Sequence, residues 1–437
     1  MKKLSILLIA CAATAGAQQS QQPPIRQLGA ISAKSAVTWN NILGLRALPG
    51  GRVLVNDVAG RKVVLLDSML AQLSIVADTT PATATAYSGR IASIIPYRAD
   101  STLFVDPQSM SMMVIDPSGK MTSRIMALPR SQDAGMLGGA LGNSAGLDAK
   151  GRLVYRAPFS FQRMGPPPSA GGAPMMPTPP DTAMIVRVDL ATRQLDTVGI
   201  IKIPKMNVQM TTDDKGNMRV NMEMNPLPTV DEWAVLADGS IAFVRGRDYH
   251  VDFVNADGSK TSGAKIPFEW QRLSDEDKVA FIDSVKAARA RLASAALGAP
   301  TPAGAPAGGG PDGGGTRVVV QMGPDGGGTP RGGAGGVPPQ MNFVSPSELP
   351  DYKPAFFANS VRADPSGNIW VRTIPTRKIP GGPVYDVINR EGKLIDRVQV
   401  PEGRTIIGFG SDGAVYLATR DTSGPTPTMT LERAPVR

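Results

Sequence analysis

One short unit recurs six times along this chain: a turn residue or small polar pair, followed by an alternating apolar strand. The copies are Gly51-Arg52-Val53-Leu54-Val55, Ser101-Thr102-Leu103-Phe104-Val105, Gly151-Arg152-Leu153-Val154-Tyr155, Gly239-Ser240-Ile241-Ala242-Phe243, Gly367-Asn368-Ile369-Trp370-Val371 and Gly413-Ala414-Val415-Tyr416-Leu417. The first three start 50 residues apart and the last two 46 apart, the spacing of a unit that carries about four strands.

Each copy has neighbours in a fixed order. An apolar segment precedes it (Ile42 to Leu48, Ile91 to Tyr97, Trp233 to Leu236, Ser360 to Ala363, Thr405 to Phe409). A second strand follows, as in Val63 to Asp67, Met113 to Asp116, Ile185 to Asp189, Val251 to Asn255 and Val387 to Asn389. The turns after it, such as Pro117-Ser118-Gly119-Lys120 and Ala256-Asp257-Gly258-Ser259, use glycine for a positive φ. With 48 Gly and 39 Pro in 437 residues, a largely helical protein is excluded.

On these residues the chain resembles the six-bladed β-propellers of the NHL-repeat type. The resemblance implies an all-β fold over residues 24–437, with four strands per blade and an N-terminal strand, drawn from Ile25 to Ile31, that closes the last blade. Propellers host binding proteins, scaffolds, lactonases and lyases alike, so function has to come from a site.

Residues 1–17 read as a signal peptide: Lys2 and Lys3, an apolar run from Leu4 to Ala15, and an Ala15-Gly16-Ala17 cleavage site. The competing reading acylates Cys11 as a lipid anchor. Either way the protein is expected to be periplasmic or secreted, or an outer-membrane lipoprotein, without a transmembrane segment. Two regions interrupt the repeats after that leader. Residues 163–181 form a Pro- and Gly-rich loop and 204–228 a Met-rich β-hairpin, with Met206, Val208 and Met210 on one face and Met218, Val220, Met222 and Met224 on the other strand. That face is expected to pack on the protein, with a partner surface or soft-metal capture as alternatives. A longer insertion, 269–354, holds a helix over 274–297 with Val279, Ile282, Val285, Ala288 and Leu292 as its apolar stripe, and a disordered stretch over 298–340.

The inventory of reactive side chains is short. One His and one Cys exclude zinc sites built on those residues, and a Ser-His-Asp triad would rest on His250 alone, which reads as structural. The net charge of +9 is scattered, without the basic stripe and interleaved aromatics of a nucleic-acid surface. Calcium needs only oxygen ligands, and the resemblance to lactonase-like propellers implies a calcium site in the central channel. The oxygen donors near inner strands are Asn41, Asp57, Asp106, Glu232 and Asn359. A separate set, Asp57, Asp106, Arg156, Arg245, Arg247, Arg372 and Arg420, follows the repeated strand in successive units and points to a rim that binds an anion.

The expectation from sequence is an exported module of the bacterial cell envelope, binding or scaffolding rather than catalytic. No cofactor is expected, calcium being the possible exception. The partner is an unknown envelope protein or an anionic small molecule or polymer, and not nucleic acid. The alternative is a calcium-dependent lactonase-like hydrolase or lyase working in the central channel.

Overall fold

The computed structural model describes residues 22–436 apart from 81–85, 88–91, 140–144, 159–178, 213–217, 298–339, 378 and 425–426. The signal segment with Cys11, most of the 163–181 loop and the 298–340 stretch up to residue 339 therefore lie outside the described residues.

The chain is nearly all β and folds as a β-propeller. Its sheets, numbered here in chain order, are built from consecutive antiparallel strands. Sheet 1 holds Ile42–Ala47, Val53–Asp57, Lys62–Leu66 and Gln72–Asp78; sheet 2 holds Ser93–Pro96, Thr102–Asp106, Ser111–Ile115 and Met121–Ala127. Sheet 3 comprises Gly146–Leu147, Leu153–Arg156, Thr182–Val188 and Leu195–Lys202, and sheet 4 comprises Glu232–Val235, Ile241–Arg245, His250–Val254 and Lys260–Ser262. Sheet 5 has Phe356–Ala363, Ile369–Thr373, Val384–Ile388 and Leu394–Gln399, and sheet 6 has Arg404–Phe409, Val415–Asp421 and Thr428–Ala434.

The repeated unit forms the second strand of every sheet, and it is apolar on both faces because it is covered on both. Tyr155 enters the seam between sheets 2 and 3, while its neighbour Val154 enters the seam between sheets 3 and 4. Comparable clusters fill the other seams, including one between sheet 6 and sheet 1 that holds Tyr416, Leu431, Trp39 and Val55. Each such buried aliphatic or aromatic side chain contributes about 1.5–3 kcal/mol of transfer free energy. Glycine is required where neighbouring sheets meet most closely: Gly239 has φ +82°, and a Cβ there would lie 2.1 Å from the backbone nitrogen of Ala149.

The N-terminal segment is used twice. Ile25–Gln27 pairs in parallel with Arg397–Gln399 at the edge of sheet 5, and the strand that completes sheet 6 is Ala33–Lys34, paired with Glu432 and Arg433. The strand of the segment expected to complete the last sheet, Ile25 to Ile31, thus lies on the sheet before it, covering an edge that would otherwise be open to pairing, and the completing strand follows just beyond that segment.

The two insertions meet. Met206–Thr212 and Met218–Met224 form an antiparallel hairpin, with Met206 opposite Met224, and Gln340–Phe343 adds a third, parallel strand. The helix Asp275–Leu297 starts at Ser274, whose Oγ accepts from the Asp277 N–H while Asp277 accepts from the Ser274 N–H. It buries Ile282 and the stem of Lys278, whose ammonium pairs with Asp351 at 2.8 Å, whereas Val279 is half-exposed. The buried face is thus turned by about one residue from the expected stripe. Ile282 packs with Leu227, Val344, Leu349 and Ile374, so the insertions rest on sheet 5. Among the described residues, no helix is long and apolar enough to cross a membrane.

Candidate active site at Glu232

In each sheet the first strand begins at the end where the second strand finishes, and the hairpin between them lies at the other end. The candidate residues picked from sequence therefore share one end of the molecule, but strand alternation turns their side chains into different seams.

Asp57 is buried and fully engaged. Its carboxylate accepts from the backbone N–H groups of Asn40, Asn41 and Gly60 at 2.9–3.1 Å, tying down the entry to sheet 1. Asp106 accepts from the Gln108 N–H and borders a cleft of about 460 Å³ with Tyr87, Ser109 and Ser111, in the seam of sheets 1 and 2. Burial, then the charges of Asp106 and Asp57, push the Tyr87 phenol up to about 12. Arg245 is locked between Asp231 (3.0 Å) and Asp252 (2.7 Å) and also donates to the Ile200 carbonyl. His250 sits between Asp248 and Asp252, at 2.7 and 3.2 Å. Arg247, Arg372 and Arg420 are exposed.

Arg156 is different. It shares the parity of Val154, so it faces sheet 4, where its charge meets Glu232, the first residue of that sheet's inner strand. The Glu232 Oε1 accepts the backbone N–H of Asn359 on the inner strand of sheet 5, at 2.7 Å. Asn359 holds a left-handed φ of +62°, a conformation in which asparagine is among the few tolerated side chains. It lies in the bulge between the Phe356–Thr373 and Val361–Val371 pairs, which turns its N–H toward the neighbouring sheet.

Burial pushes the Glu232 carboxyl up to about 7. The Asn359 N–H and the charges of Arg362 and Arg156 act against that rise, and Asp231 adds to it. Desolvation wins because the carboxylate loses water on a crowded inner strand and, among the described residues, gains one close hydrogen bond. The Arg156 guanidinium is lowered by the same burial and raised by Glu232. The result is a carboxyl that exchanges a proton near neutrality beside two cationic groups and a strained backbone, the combination that marks functional sites.

Of the residues drawn from sequence, the structure thus joins Arg156, Glu232 and Asn359, and leaves Asn41, Asp57 and Asp106 at other seams. Arg362 was not among them, since it lies in a segment read as the apolar inner strand of its repeat. A charged residue inside such a strand was the available signal, because burying a guanidinium is costly without an electrostatic reason.

The donors do not fit calcium. A calcium ion takes six to eight oxygen ligands; among the described residues no three His, Cys, Asp or Glu side chains converge, Glu232 lies under the charges of Arg362 and Arg156, and the neighbouring Asp231 is taken up by Arg245.

No protein-family model matches the chain, and no curated protein matches it. Solved structures do resemble it. A calcium-binding protein, regucalcin, from Agrobacterium tumefaciens is 12% identical over 94% of this chain and 98% of its own, with a TM-score of 0.40. A gluconolactonase from Xanthomonas campestris is 10% identical over 95% and 97%, with a TM-score of 0.37. A streptogramin B lyase is 12% identical over 92% and 96%, with a TM-score of 0.34. The expectation of a non-enzymatic module is corrected at this point: a lactonase and a lyase stand among the structures the chain is similar to. At these identities the likeness is one of fold, a β-propeller.

Proposed function

We propose that the chain is an exported six-bladed β-propeller enzyme, a hydrolase acting on a lactone-type ester, with Glu232 as its proton-transfer group. Six sheets of the repeat, with an apolar cluster in each of six seams, support the six-bladed ring; the pairing of Ala33–Lys34 with the last strand supports its closure by the N-terminal segment.

The observation that carries the function is the Glu232 carboxyl, held near neutral pKa in contact with the Asn359 N–H and under the charges of Arg156 and Arg362. A general base works best when its pKa lies near the operating pH. Deprotonated Glu232 takes a proton from water as the water oxygen adds to the ester carbonyl; the C–O bond to the ring oxygen then breaks, and Glu232 returns the proton to that leaving oxygen. Negative charge that develops on the carbonyl oxygen is stabilised by fixed guanidiniums, a role worth about 3–4 kcal/mol per well-placed donor in other enzymes.

The test is release of acid from D-glucono-1,5-lactone and D-glucaro-1,4-lactone by the wild type and by Glu232→Gln. Turnover by the wild type that falls by about 10²–10⁴ in the variant is the expected result. Equal rates in both proteins would remove Glu232 from the reaction.

A further inference from the structure

The face of sheet 5 that packs Trp370 and Tyr385 against sheet 6 also carries charged groups. Arg362 lies opposite Trp370, and Arg372 opposite Tyr385, in the strand register. Trp370 and Arg372 are two residues apart on one strand, so Arg362, Trp370, Arg372 and Tyr385 all project from the same face, the two arginines as diagonal neighbours about 7–8 Å apart. Ser360 directly precedes Val361, at the point where the regular pairing gives way to the bulge.

Among the described residues, neither Arg362 nor Arg372 takes part in an ion pair. Arg362 donates from one nitrogen to the backbone carbonyls of Val361 (2.8 Å) and Asn359 (3.3 Å), which pins its guanidinium against its own strand. The charges of both arginines reach the Tyr385 hydroxyl, which also bonds the Ile406 backbone of sheet 6. Ser360 is 8% exposed and its Oγ has no hydrogen-bond partner among the described residues. An orphaned buried hydroxyl costs stability and calls for an explanation; a ligand oxygen supplies one.

We propose that Ser360, Arg362, Arg372 and Tyr385 form a carboxylate-binding subsite, and that the substrate carries a carboxylate away from its reacting ester. The link to substrate rests on the catalytic reading of Glu232, whereas the subsite itself does not. Two guanidiniums on one face suit bidentate capture of a carboxylate, with the Ser360 hydroxyl as an additional donor. The charge of Arg362 also acts on Glu232, which couples the two places electrostatically.

The test is calorimetric titration of the full chain with D-glucarate and with D-glucitol, a neutral molecule of the same carbon skeleton. Glucarate is expected to bind and glucitol not. Arg362→Gln and Arg372→Gln are each expected to weaken glucarate about tenfold or more, the loss typical of one charged hydrogen bond. Ser360→Ala is expected to weaken it with no fall in melting temperature, since the hydroxyl has no partner among the described residues. Glucarate binding no tighter than glucitol, or glucarate affinity unchanged in all three variants, overturns the subsite. Glu232→Gln separates the two claims: retained glucarate binding with lost lactone turnover supports both. A wild type that binds glucarate through these residues but hydrolyses neither lactone leaves the subsite standing and the hydrolase reading refuted.

Discussion

The backbone N–H of Asn359 lies 2.7 Å from Oε1 of Glu232, so the inner strands of two neighbouring sheets are joined through a carboxyl that titrates near neutrality. That carboxyl has a folded-state pKa of about 7 against an ordinary 4.5. The native state therefore binds its proton more tightly than the unfolded chain, and the carboxyl lowers stability as pH rises from about 4.5 through 7. Glu232→Gln keeps an oxygen for the Asn359 N–H and removes the charge. Its stability relative to wild type is expected to rise by about 1–3 kcal/mol between pH 5 and pH 8, which denaturant melts at the two pH values would measure.

Asn359 tests the backbone strain. Asn359→Gly keeps the N–H and accepts φ +62° without penalty, so melting temperature and lactone turnover should both stay near wild type. Asn359→Val puts a β-branched side chain in the left-handed region and should cost about 1–3 kcal/mol, with turnover falling as the bond to Glu232 is displaced.

A second buried carboxyl ties the same pair of sheets together. Tyr249 donates to Asp386 at 2.9 Å, and Arg397 reaches its other oxygen at 3.3 Å. Burial pushes Asp386 up to about 6 from an ordinary 3.8, while Tyr249 and Arg397 pull it down. Stability should therefore fall as pH rises through that window. Tyr249→Phe removes one of the two restraints on Asp386. It should cost about 1–3 kcal/mol at pH 8 and less at pH 4, where the carboxyl is protonated in the folded protein and has little charge for Tyr249 to stabilise.

Calcium should have little effect. Because the donors at Glu232 do not fit the ion, adding calcium or a chelator is expected to leave the melting temperature within about 1 °C, whereas an ion binding tightly to the native state alone would add about 2.7 kcal/mol at a hundredfold excess over its dissociation constant.

The N-terminal segment should matter to stability out of proportion to its length. Deleting residues up to Lys34 strips the edge strands from sheets 5 and 6 together. A lower melting temperature and concentration-dependent association through the open edges are the expected outcome, read by calorimetry and light scattering.

Much of the fold was legible because strand periodicity is local. The six second strands sit where the repeat places them, since each must be apolar on both faces to fill two seams. What sequence could not supply was the direction of side chains at the strand ends. Arg156 and Arg245 occupy similar places after the repeat, yet Arg156 meets Glu232 while Arg245 is locked by Asp231 and Asp252. Arg362 and Ser360 were hidden for a related reason: the bulge at Asn359 shifts the register by residues that no simple alternation counts. The desolvation that raises Glu232 belongs to packing between sheets far apart in sequence, so the residue could be named from the chain but not its pKa.

The proton of Glu232 can be followed without knowing the substrate. Carbon-13 chemical shifts of the side-chain carboxyls, recorded from pH 4 to pH 9 in wild type and Glu232→Gln, isolate this one group as the resonance that the variant lacks. A midpoint near 7 is the expected result. A midpoint near the ordinary 4.5 would show an unperturbed surface carboxylate and contradict the proposed active site.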